Sequence, residues 1–108
     1  MNERIMCAAN YYDDGTNHAF ITPINKENGF IISGLRHCHC IEMFAKMYGF
    51  PYSKESQEIH NTEIQGFLTN LGRFVDRKEA YQIALKENQI IKNKDISNGK
   101  LLYSENLY

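Results

Sequence analysis

Tryptophan is absent, cysteine occurs three times and proline twice, and neither sign of charge prevails: 12 basic residues face 13 acidic ones, a net charge of −1. Each shortage excludes something. An odd cysteine count, with Cys38 and Cys40 almost adjacent and Cys7 alone, gives no disulfide framework and fits reduced thiols in a cytoplasm. The balanced charge argues against a general binder of nucleic-acid polymers or membrane surfaces, which carries a basic excess. It leaves room for a small anionic ligand, since a few arginines in one pocket suffice. No long apolar run occurs and the start, Met1-Asn-Glu-Arg4, is charged, so neither a leader nor a membrane-spanning segment is expected. Repeats, low-complexity stretches, a GxGxxG or Walker loop and a D-x-D cluster are all missing from the sequence.

What is present is a 108-residue chain, 43% hydrophobic and 23% charged. That composition predicts one folded domain over residues 1–108, with a modest core and a size at which oligomerisation often helps. Arg4 to Tyr12 has the pattern of a strand ended by the turn Asp13-Asp14-Gly15. A second strand is expected over His18 to Thr22 and a third over Phe30 to Ile32, with connections short enough for an antiparallel meander. Ser33-Gly34 offers an N-cap for a helix to about Tyr48, with Cys40, Ile41, Phe44, Ala45, Met47 and Tyr48 at helical spacing and Gly49 and Pro51 marking its end. Lys54 to Thr62 is polar and expected to be a loop.

The most informative stretch runs from Gln65 to Leu85. It predicts a strand over Ile64 to Thr69, a turn at Asn70-Leu-Gly72, a brief extended piece at Arg73-Phe-Val75 and a helix from Arg77 to about Glu87. Asp76 and Glu79 have the spacing of a capping box, so Asp76 accepts N–H groups of the first turn while Glu79 reaches back. Arg73 and Arg77 flank that helix start, where the dipole and unpaired amides already favour anions. Asp76 can instead pair with either arginine and leave nothing for a ligand. The closing Leu101-Leu-Tyr103 and Leu107-Tyr108, after a Ser-Asn-Gly turn, suggest docking on the core or on a neighbouring subunit. The resulting fold class is α+β: a small antiparallel sheet packed against two main helices.

Chemistry is harder to find. His37-Cys38-His39-Cys40 places four ligand types in a row, but zinc wants pairs spaced two to four apart with a second pair elsewhere, and His18 and His60 are isolated. Histidines near a helix start and thiols turning into its buried face are the simpler reading, so no metal or cofactor is expected. A cysteine nucleophile would need an orienting partner and an oxyanion hole that nothing in the sequence marks. Glu55, Glu58 and Glu63 lie in a polar stretch where carboxylates are ordinarily solvated. The chain is therefore expected not to be an enzyme. What remains is arginine beside aromatics: Arg36 at the first helix start, Arg73 and Arg77 at the second, and Phe67, Phe74, Tyr11, Tyr12 and Tyr48 as possible stacking faces.

Gln65-Gly-Phe-Leu-Thr69, Gly72-Arg-Phe-Val-Asp-Arg-Lys-Glu-Ala80, Ile83-Ala84, Gln89-Ile90 and Leu102-Tyr-Ser-Glu-Asn-Leu-Tyr108, with Arg36-His37 ahead of the first helix, together resemble the phage anti-Thoeris sponge family. Asn106 stands where that closing motif more usually has Asp. The resemblance covers roughly the last two-thirds of the chain. It implies an antiparallel sheet with helices and a homo-oligomer holding ligand between subunits. It also implies a non-catalytic role in the host bacterial cytoplasm: capture of cyclic ADP-ribose isomers made by bacterial TIR-domain immune proteins, and in some members of cyclic trinucleotides. The ligand-binding candidates it marks are Arg36, Phe67, Arg73, Asp76 and Arg77. The alternative is a protein-interaction module that inhibits a host protein directly, which near-neutral charge and aromatic content also allow.

Overall fold

The computed structural model describes residues 2–91 and 101–107. Its centre is a four-stranded antiparallel sheet in the order β2-β1-β3-β4, with β1 at Ile5–Tyr12, β2 at Phe30–Gly34, β3 at Ile64–Thr69 and β4 at Phe74–Asp76. Helices α1 (His37–Tyr48) and α3 (Arg77–Lys86) pack on the sheet, and a short α2 (Lys54–His60) lies between α1 and β3 in sequence. This is the α+β arrangement expected, a small antiparallel sheet against two main helices. None of the helices among the described residues is long and apolar enough to cross a membrane.

β1 is a central strand, paired to β2 on one side and β3 on the other. From Ala8 to Tyr12 every residue is buried, so both faces are covered and the apolar–polar alternation of a half-exposed strand is lost. Ala8, Asn10 and Tyr12 share the face covered by the helices. There Ala8 joins Ile5, Phe67, Val75, Ala80, Ala84, Ile90 and Leu102 in one core cluster, while Tyr12 joins Phe30, Ile32, Cys40 and Phe44 in another. Ala80 and Ala84, one turn apart, are fully buried, and their small side chains let α3 approach the sheet closely. On the opposite face Ala9, Tyr11 and Phe74 form a third cluster, with Lys26 placed over the Tyr11 and Phe74 rings.

The turn between β3 and β4 depends on Gly72, at φ +79°, a left-handed conformation natural to glycine. Gly66 has a different reason. A β-carbon there would collide with the Val75 carbonyl oxygen and lie 2.7 Å from Phe74 Cζ. The Phe74 ring thus occupies the space a side chain would need.

Three local expectations give way to the structure. His18 to Thr22 is no strand: Ala19–Ile21 forms a single 3-10 turn, Ala19 has φ +55°, and an isolated bridge, Asn17 to Gly29, lies just before the segment. Lys54 to Thr62 is not simply a loop. Ser53 caps α2 by accepting the Ser56 N–H at 3.1 Å, a start signal that the polar composition of the helix masked. The first helix begins later than expected, with Arg36 rather than Ser33 or Gly34 at the cap, because β2 runs through Gly34. The Ser97-Asn98-Gly99 turn and Tyr108 lie outside the described residues.

Candidate functional site

Asp76 caps α3 as expected, accepting the Glu79 N–H at 2.8 Å. The reciprocal half of the box is replaced: the Glu79 carboxylate takes Arg73 Nη2 at 2.6 Å. Arg73 also donates from Nε and Nη2 to the two oxygens of Glu3, at 2.7 and 2.8 Å. The Arg73 guanidinium holds the Glu3 carboxyl below its ordinary pKa, helped by the Thr69 hydroxyl, and is itself held firmly charged by Glu3 and Glu79. Arg73 therefore ties the start of the chain to the β3–β4 turn and to α3.

Arg77, four residues on, has different surroundings. It is half-buried, and its Nη1 donates to the Leu102 carbonyl at 2.9 Å. Nη2 donates to Gln65 Oε1 at 2.8 Å and lies 3.3 Å from His37 Nδ1. The Tyr103 ring stands over the guanidinium at 4.7 Å, at cation–π distance. Among the described residues no carboxylate comes within ion-pair distance of Arg77. Glu105 is near enough to favour its charge, but burial outweighs that and lowers its pKa. Three of the five guanidinium N–H groups are used in these contacts. The Nε–H and one Nη1–H have no protein acceptor among the described residues.

His37 fixes the chemistry beside it. Its Nε2 lies 2.7 Å from the Gly66 carbonyl; a carbonyl can only accept, so the ring proton sits on Nε2. Nδ1 is then a lone pair, able to accept from Arg77 only while the ring is neutral. Burial lowers the His37 pKa, the Gly66 bond opposes that, and the charge of Arg77 lowers it further. The result is a neutral imidazole packed edge-on against Phe67 at 5.1 Å between ring centres.

These side chains form one cluster on the helix-covered face of the sheet, where the start of α1 meets the start of α3. Gln65 belongs to it and lies directly across from Asn10 of β1. Two residues before Gln65, Glu63 Oε1 accepts the Tyr12 hydroxyl at 2.6 Å and Asn10 Nδ2 at 3.2 Å. The Tyr12 phenol is pushed far above its ordinary range, chiefly by burial and then by its bond to Glu63, so it acts as a hydrogen-bond donor throughout the physiological range. The charges of both Glu63 and Glu105 reach His37.

The five candidate ligand residues are thus divided. Arg77 joins the cluster with His37, Gln65 and Tyr103, and Arg36 immediately precedes His37. Phe67 is 0% exposed and belongs to the core rather than to the surface. Asp76 is committed to the helix cap, and Arg73 to Glu3 and Glu79. His37, Gln65, Glu63, Asn10 and Tyr103 are the additions. One signal was available in advance: Asn10 is a polar residue inside the apolar run of β1.

The His37-Cys38-His39-Cys40 run splits by helical geometry: His37 and Cys40 are buried, while Cys38 and His39 are exposed. Among the described residues no three His, Cys, Asp or Glu side chains converge as a metal site would require. Burial pushes the Cys40 thiol up to about 11, opposite to what nucleophilic cysteine chemistry requires.

Residues 4–108 match the model of a protein family described as Phage T4 y16D protein. No curated protein and no solved structure matches the chain.

Proposed function

This chain belongs to the phage T4 y16D protein family, and we propose that it captures a small anionic nucleotide at the cluster around Arg77 and holds it without cleaving it. The observation that carries this reading is the Arg77 guanidinium: half-buried, clasped by the neutral acceptors of Gln65, His37 and Leu102, and without a carboxylate partner among the described residues. A cation withdrawn from water with donors to spare favours an anion, and charge-assisted bonds are strong in such a place. Tyr103 adds an aromatic surface beside the charge. The neutral His37 and the raised thiol of Cys40 favour binding over covalent chemistry.

The resemblance to anti-Thoeris sponges supplies the specific ligand, a cyclic ADP-ribose isomer, with cyclic oligonucleotides as the second class. It also supplies the role: a phage protein that removes an immune signal in the host cytoplasm. Its diphosphate would meet Arg77, and its base could stack on Tyr103. Assembly of copies belongs to the same reading. Asn25 closes the β4 edge by pairing its side-chain amide with the backbone of Phe74 at 2.8 and 2.9 Å. Among the described residues no strand pairs with the outer edge of β2, so that edge is where a second copy could extend the sheet.

Titration calorimetry with cyclic ADP-ribose isomers and cyclic trinucleotides tests the reading. Wild type is expected to bind at least one of them, and Arg77→Ala to weaken that binding about 10- to 100-fold, the effect of one lost charge-assisted contact. The bound compound should be recovered intact by mass spectrometry after denaturation. No binding to any of them would sink the proposal; recovery of hydrolysed product would show an enzyme instead. A stoichiometric protein from host lysate with no retained small molecule would favour the interaction-module reading.

A further inference from the structure

Glu63 is held in a way that hydrogen bonding to the fold does not require. Its Oε1 accepts from two buried donors, the Tyr12 hydroxyl and Asn10 Nδ2. A neutral amide would satisfy those donors equally well and would avoid the cost of taking a carboxylate partly out of water. The charge is therefore surplus to the structural task. Glu63 Oε2 has no protein donor among the described residues. Asn10 Oδ1, in the same network and sealed from solvent, also lacks a donor. The amide cannot be reversed to repair this, because Nδ2 is needed against the Glu63 carboxylate. At the half-buried Glu63, acceptor capacity is left over at Oε2, just as donor capacity is left over at Arg77.

The two groups are brought together by the pairing of β1 with β3. Glu63 immediately precedes β3 and its carboxylate takes the amide of Asn10, which lies directly across from Gln65, and Arg77 rests on Gln65. A ligand that meets both carries an anion for Arg77 and neutral hydrogen-bond donors for Glu63.

We propose that Glu63 receives the ribose hydroxyls of the captured nucleotide while Arg77 receives its phosphate. Tyr12 and Asn10 act as positioning residues that fix the carboxylate. This rests on the nucleotide-capture reading and adds to it a requirement for a ribose rather than a deoxyribose. Acidic side chains take ribose hydroxyls in the same manner in dinucleotide-binding folds.

The test compares calorimetric affinities for cyclic ADP-ribose, its ring-linkage isomers, and analogues of each lacking one ribose hydroxyl at a time. For wild type, removing the hydroxyl that meets Glu63 is expected to weaken binding about tenfold or more, as for a hydrogen bond to a charged group. Glu63→Gln, which retains an acceptor for Tyr12, is expected to weaken the parent compound and to bring its affinity close to that of the deoxy analogue. Arg77→Ala should weaken both compounds by the same factor and preserve their ratio. Thermal melts of each variant separate lost binding from lost folding, and Tyr12→Phe should narrow the discrimination in the direction of Glu63→Gln. If the compounds bind and need Arg77, yet every deoxy analogue equals its parent or Glu63→Gln keeps the full discrimination, the role of Glu63 is overturned and nucleotide capture stands. If none of the compounds binds, both fall together.

Discussion

Gln89 and Ile5 exchange two hydrogen bonds: the Ile5 N–H donates to Gln89 Oε1 and Gln89 Nε2 donates to the Ile5 carbonyl, each at 2.8 Å. Ile5 lies beyond the reach of β2, whose pairing with β1 begins at Ala8. The glutamine amide takes the place of a missing strand residue and anchors the segment after α3 to the first strand. Gln89→Glu removes the donor and sets a carboxylate oxygen against the Ile5 carbonyl. A loss of about 1–3 kcal/mol is expected, read as a lower urea midpoint with an unchanged slope; an unchanged midpoint would show the pair to be dispensable.

His37 makes stability depend on pH. Its pKa in the folded protein lies below the ordinary 6.5, so between those two values the unfolded chain binds the extra proton. Stability is fully present above about pH 6.5 and falls as the pH drops towards the folded pKa. The Glu3 contribution is separate: its folded pKa is lowered from 4.5, so its loss begins at lower pH. Denaturation midpoints between pH 7.5 and 5 should decline in wild type, and His37→Gln should flatten the decline.

Arg73 and Arg77 should separate cleanly by experiment. Arg73→Ala releases Glu3 and Glu79 and is expected to cost about 1–2 kcal/mol, allowing for partial exposure of the network. Nucleotide affinity should stay the same once the variant is measured below its melting temperature. A large affinity loss in Arg73→Ala would place ligand at the β3–β4 turn instead.

Gly66→Ala is expected to be the most damaging single methyl in the sheet. The added β-carbon would collide with the Val75 carbonyl, which is backbone, as well as with the Phe74 ring. A cost at the upper end of the roughly 1–3 kcal/mol typical of overpacking follows. Pairing the change with Phe74→Leu should recover little of it, because the backbone clash remains.

The three thiols are expected to alkylate at very different rates. At pH 8, iodoacetamide should label exposed Cys38 first and half-buried Cys7 slowly. Cys40, fully buried with its thiol near 11, should stay unlabelled until the protein unfolds. Rapid labelling of Cys40 in the native protein would contradict the packing of α1.

How much of this was legible in the sequence depended on the reach of each interaction. The strand, turn and cap from Ile64 to Asp76 follow from neighbouring residues and formed as expected. The different roles of Arg73 and Arg77 were not legible, because their partners lie far away: Glu3 for one, His37 and Leu102 for the other. Burial of β1 on both faces erased the alternation that would have placed Asn10 and Tyr12 on the helix-covered side. α2 escaped notice because Ser56 is its one fully buried residue, leaving no apolar stripe for periodicity to find.

Arg77 is gripped twice by one distant residue: the Leu102 N–H donates to the Arg77 carbonyl at 2.9 Å, and the Leu102 carbonyl receives the guanidinium. In the order of synthesis, Arg77 leaves the ribosome well before the residue that orients it. A nascent chain halted before Leu102 can already contain every strand, yet its arginine is still hydrated and unaimed. If Arg77 captures a nucleotide as proposed, that competence would arise late and all at once, when the tail docks, and an incompletely translated copy would lack it.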